Sequence, residues 1–80
     1  MKARVVVTLK EGVLDPQGKA IENALRSMNI NGVDSVRQGK VFDIELKETS
    51  AAAAEDALKE VCDKLLANTV IENYSIEVTK

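Results

Sequence analysis

Apolar residues recur along this chain with two different periods, and the order of those periods is the strongest constraint on its fold. Over residues 2–10 they alternate. Ala3, Val5, Val7 and Leu9 fall on one side, and Arg4, Val6 and Thr8 on the other, which is the two-residue period of a strand. Over residues 16–28 the period is helical, with Ile21, Ala24, Leu25 and Met28 in one stripe. Glu22 and Arg26 lie outside that stripe as a favourable i,i+4 pair. Residues 29–32, Asn-Ile-Asn-Gly, tolerate left-handed backbone and stop the helix. Residues 33–37 and 40–47 read as strands joined by a two-residue turn at Gln38 and Gly39. Pairing Arg37 with Lys40 sets Val36 opposite Val41 and puts Val33, Phe42, Ile44 and Leu46 on the core face. Thr49 or Ser50 caps a second helix that runs to about Ala67. Its core stripe is Ala51, Ala54, Leu58, Val61 and Leu65, widened by Ala57, Cys62 and Leu66. Residues 71–79 form the last strand, with Tyr74, Ile76 and Val78 inward.

The order β-α-β-β-α-β, with one apolar stripe per helix, predicts a single domain over residues 1–80. Its class is α+β: a two-layer sandwich of ferredoxin-like type, with two helices on one face of a four-stranded sheet. A right-handed first crossover sets the first two strands parallel. A domain of 80 residues buries a modest core. Cys62 is the single cysteine, so no disulfide within the chain reinforces it. Association with a further copy is therefore expected, as a homodimer or higher homo-oligomer. Val6, Val36 and Val41 on the outer sheet face are the candidate contact.

Composition narrows the function. Eleven basic against thirteen acidic residues give a net charge of −2, which is no phosphate-binding surface. Phe42 and Tyr74 are the only aromatic residues, too few for a base-stacking platform. No nucleic-acid partner is expected. No run is apolar enough for a membrane span, and the first residues enter a strand without cleavage-site pattern. A cytoplasmic protein without a membrane partner is the expectation. There is no histidine, so Cys62 has no such base to activate it, and the carboxylates form no recognisable acid–base pair. The glycines and lysines lack P-loop spacing. Catalytic, metal-ligating and cofactor-binding residues are therefore assigned to none of the positions.

The connector between first strand and first helix is the least ordinary stretch. Asp15 is placed to cap the helix and Pro16 to start it. Gly18 weakens the first turn, so a reason beyond helix propensity is expected. Gly12 and Leu14 would also suit an ACT-like module, which shares this element order and binds amino acids near the first loop; that small-molecule-binding regulatory reading is the alternative.

Three segments carry a more specific resemblance. Residues 12–21, GVLDPQGKAI, resemble the hallmark segment of the PurS family, the small subunit of phosphoribosylformylglycinamidine synthase. Residues 36–40, VRQGK, with 42–46, FDIEL, resemble that family's hairpin. Residues 62–68, CDKLLAN, with 70–74, VIENY, resemble its second helix and last strand. Glu11 and Thr69 depart from positions where the family often has proline. Asn29 and Ile30 stand where a glycine and an aromatic are common. The resemblance implies a non-catalytic subunit of an ATP-dependent C–N ligase of purine biosynthesis. Its partners would be a glutaminase subunit, PurQ, and a synthetase subunit, PurL, which uses the ATP and Mg. The small subunit would bridge the two and assist ammonia transfer, with no cofactor of its own. Contacts are then expected on the first loop and the hairpin. Gly12, Val13 and Leu14 would present a shaped surface, Gly18 would admit another backbone, and Arg37, Gly39 and Lys40 would flank it.

Overall fold

Val5 sits at the centre of the sheet and fixes its register. The computed structural model describes residues 1–47 and 50–79. Three strands, β1 (Lys2–Leu9), β2 (Lys40–Glu45) and β3 (Glu72–Thr79), form a sheet in the order β2-β1-β3. Both neighbours run antiparallel to β1, with Val5 opposite Phe42 on one side and Ile76 on the other. The odd residues of β1 face the core as their alternation requires: Ala3, Val5 and Val7 are buried.

Helix α2 (Ala51–Val61) continues directly into a π-helical turn, Cys62–Leu66. Ser50 caps α2, accepting the Ala53 N–H; Thr49, the other expected cap, lies outside the described residues. The Ala67 N–H donates to the Cys62 carbonyl at 2.9 Å, closing the wide turn. The buried side is Ala54, Leu58 and Cys62, spaced by four, followed by Ala67. The expected stripe is thus rotated: Val61 and Leu65 lie outside it, Leu65 at 78% exposure. Tyr74 donates its hydroxyl to Asp63 at 2.9 Å, tying β3 to the π turn.

Three sequence expectations need correction. Residues 33–37 form no strand, so the described sheet has three strands rather than four and contains no parallel pair. Gln38 and Gly39 make no hairpin turn. Helix α1 (Pro16–Ser27) does not lie beside α2 on the sheet. The cause is one arrangement. Residues 33–39 run extended along α1, where α1 carboxylates take the N–H groups of Val36 and Gln38. Helix and segment together form an arm that projects past the end of β1. The molecule measures 50 × 26 × 15 Å with a radius of gyration of 16.1 Å; a compact chain of this length would have about 12 Å. The arm carries its apolar stripe into the open, with Ile21 and Met28 both exposed.

Candidate interaction surface

The base of the arm is built by the first turn of α1. Asp15 adopts extended backbone and accepts the Gly18 N–H on Oδ1 at 2.9 Å, the helix cap that its position predicts. Its second oxygen accepts the Gln38 N–H at 2.6 Å. One carboxylate therefore starts the helix and anchors the returning chain. Asp15 is only 6% exposed. The N–H of Gln38, then that of Gly18, holds its carboxyl below the usual range.

Glu22 repeats the device further along the helix. Its Oε2 accepts the Val36 N–H at 3.0 Å, while Lys19 and Arg26 approach Oε1 at 3.5 and 3.6 Å. Glu22 is 4% exposed, and the Val36 N–H, ahead of the two cations, holds its carboxyl below the ordinary value. Gly18 lies between the two carboxylates. A Cβ there would collide with the Val36 carbonyl oxygen and come within 2.9 Å of Asp15 Oδ2. The backbone that Gly18 admits is thus the chain's own. Gly39 does the same at the joint with the sheet, where a Cβ would stand 2.7 Å from the Val7 carbonyl oxygen. Arg37 donates to the Lys10 carbonyl at 3.2 Å, and the side chains of Gln17 and Gln38 bond each other.

Beside this latch is a groove of about 480 Å³ lined by Leu9, Glu11, Lys19, Ser35 and Arg37. Both latch carboxylates are occupied as acceptors from backbone N–H groups, which leaves them no part in proton transfer. Among the described residues no three His, Cys, Asp or Glu side chains are grouped to hold a metal ion. Also among these residues, no helix is long and apolar enough to cross a membrane. The geometry is that of a mechanical joint: it fixes a helix and an extended segment at a set angle to a sheet.

Residues 2–80 match the family model described as PurS: phosphoribosylformylglycinamidine (FGAM) synthase. The chain belongs to the PurS family. It is 52% identical to the Bacillus subtilis phosphoribosylformylglycinamidine synthase subunit PurS over 77 residues, which is 96% of this chain and 90% of that one. It is similar to the crystal structure of Methanocaldococcus jannaschii PurS, described as one of the subunits of formylglycinamide ribonucleotide amidotransferase in the purine biosynthetic pathway. That likeness has a TM-score of 0.89 at 42% identity, covering 99% of this chain and 95% of the other. A chain in the structure of PurLQS from Thermotoga maritima matches with a TM-score of 0.85 at 32% identity, over 95% and 93% of the two chains.

In this PurS chain the expected contact residues fall into two places. Gly18, Val36, Arg37 and Gly39 meet at the arm base. Gly12, Val13 and Leu14 form the loop leading to it: Gly12 takes φ +83° in open space, the Val13 N–H donates to the Lys10 carbonyl, and Leu14 is 69% exposed. Val6 and Val41 are direct partners across β1 and β2, on the outer face beside the Arg4–Asp43 pair at 2.8 Å. Lys40 starts β2, its Nζ 3.7 Å from Glu72. Val36 does not join Val6 and Val41; the latch holds it against α1. Sequence reasoning placed Glu22 on the wet side of α1 and missed its role. The signal was there: Asp15, Gly18 and Glu22 are three and four apart, one polar face of a helix with a gap in its middle.

Proposed function

We propose that this chain serves as the small, non-catalytic subunit of phosphoribosylformylglycinamidine synthase in purine biosynthesis. It acts in assembly with a PurL synthetase subunit and a PurQ glutaminase subunit, and with further copies of itself. The observation that carries this reading is the similarity to a chain of PurLQS over nearly the whole length of both. The architecture supports it. Both latch carboxylates serve structure, and large apolar side chains stand exposed on the arm, the inventory of a protein that works through interfaces.

In the reaction read for such a complex, the glutaminase releases ammonia from glutamine. The synthetase uses ATP and Mg to activate the formylglycinamide ribonucleotide amide, and ammonia displaces phosphate to give the amidine. Ammonia that escapes into neutral water is protonated and loses the lone pair that attacks. A subunit that holds the two catalytic proteins together keeps the ammonia out of bulk water. This chain then supplies placement, and the ATP and Mg belong to the synthetase.

Co-purification tests the reading. Tagged PurL and PurQ from the same source, mixed with this chain, glutamine and ADP-Mg, should elute as one ternary assembly and fall apart when the chain is omitted. A ternary assembly of unchanged amount without it contradicts the bridging role. Saturable binding of a free amino acid to the isolated chain by calorimetry would instead favour the ACT-like reading.

A further inference from the structure

The sheet and the arm have complementary vacancies. The sheet has one helix over it, α2, which packs against β3. Phe42 and Ile44 of β2 turn toward the core and remain half-buried, with no helix above them. Strand β2 is hydrogen-bonded to β1 alone, so its other edge is open. The sheet thus lacks a helix over β2 and a strand beside it. The arm consists of a helix and an extended segment without a sheet. Alternate residues of an extended segment point their N–H groups to opposite sides. Val36 and Gln38 point theirs at α1, whereas the N–H groups of Ser35 and Arg37 face away and find no acceptor among the described residues.

Area argues for the same occupant. The chain exposes 5930 Å², whereas a compact monomer of its mass would expose about 4,700 Å². An excess of roughly 1,200 Å² per copy gives roughly 2,400 Å² for a pair, within the range of obligate homodimers. The latch prevents the arm from folding back onto its own sheet, because Gly18, Asp15 and Glu22 hold the returning segment against the helix.

We propose that two copies of this chain exchange arms: α1 of each copy seats its apolar stripe over β2 of the other, and residues 33–39 run along the open edge of that β2. This deepens the assembly reading above and rests on it for its purpose. Each copy thereby gains the second helix and fourth strand that its own order of elements lacks, and the contact is twofold and self-complementary. A helix laid antiparallel to β1 ends near Ile44 and Leu46, so Met28 of one copy reaches β2 of the other.

Photocrosslinking with mixed isotopes tests the exchange. Met28 is 67% exposed, so benzoylphenylalanine in its place leaves the fold intact. Natural-abundance and ¹⁵N-labelled protein, both carrying the probe, are unfolded together, refolded, irradiated and digested with trypsin. The exchange predicts crosslinks between the peptides 27–37 and 41–47, about half of them joining a labelled to an unlabelled peptide. Crosslinks between two copies of 27–37 would mean that arms pair with arms and would overturn the proposal. Crosslinks confined to peptides of one isotope, or a monomer by sedimentation under the same conditions, would overturn it as well. The readout needs neither PurL nor PurQ, so its failure leaves the co-purification result standing.

Discussion

At the scale of single residues, the arm depends on a methyl group that is absent. Gly18 lets the Val36 carbonyl lie against the first turn of α1, and no side chain fits there. Gly18→Ala forces the segment away and weakens both carboxylate–backbone bonds. The cost expected is about 2–3 kcal/mol, well beyond the propensity gain of about 1 kcal/mol for alanine in a helix. A lowered midpoint in thermal melts checks it, and an unchanged or raised midpoint would mean that the segment is free to move. The clash is with the chain's own backbone, so folding suffers together with assembly. The sequence expectation of damage chiefly to assembly does not survive the structure. The carboxylates give a pH signature. Asp15 and Glu22 are both held below ordinary values by the N–H groups they accept. Their folded pKa values lie below the unfolded ones, so their contribution to stability is full above the ordinary carboxylate range, about 4. It is lost as pH falls through the folded values. The amide protons of Val36 and Gln38 should therefore shift in NMR spectra with midpoints below the ordinary range. Midpoints at the ordinary values would contradict the latch.

At the scale of elements, much of the fold was legible because burial follows period. The inward face of β1, the Asp15 cap and the strands around Phe42 and Tyr74 all stand where alternation puts them. The segment 33–37 was not legible. Its composition suits a strand, and the acceptors that bind it sit on α1, eleven or more residues earlier, where local pattern carries no information about them. The stripe of α1 was also read correctly as apolar; what the sequence did not say is that its cover lies outside the described fold. The π turn is a subtler case. One wide turn rotates the end of α2, burying Cys62 and Ala67 while Leu65 stands out. Leu58→Ala should then cost about 2–5 kcal/mol in denaturant unfolding, and Leu65→Ser under about 0.5 kcal/mol. Equal costs would restore the regular stripe. Burial also pushes the Cys62 thiol above its usual value, so a thiol reagent should modify it only in denaturant. Rapid labelling of the native protein would contradict that burial.

At the scale of the whole molecule, an 80-residue chain that stretches to 50 Å and leaves a helix off its sheet is built to be completed by other chains. Its apolar exposure is concentrated in two places. One is the arm, with Leu14, Ile21 and Met28; the other is the far end of α2 and the loop after it, with Leu65 and Val70. An enzyme of this size would spend its few polar convergences on a substrate. Here the tightest of them, Asp15 and Glu22, close on backbone, and the surfaces left open are apolar. The central claim is that this PurS-family chain contributes placement and no reactive group. The most direct test is the rate of amidine formation by PurL and PurQ with and without this chain, measured once with glutamine and once with saturating ammonia. The account predicts that omitting the chain abolishes most of the glutamine-dependent rate and leaves most of the ammonia-dependent rate. Equal loss with both nitrogen sources would place the chain in the chemistry itself and contradict the claim.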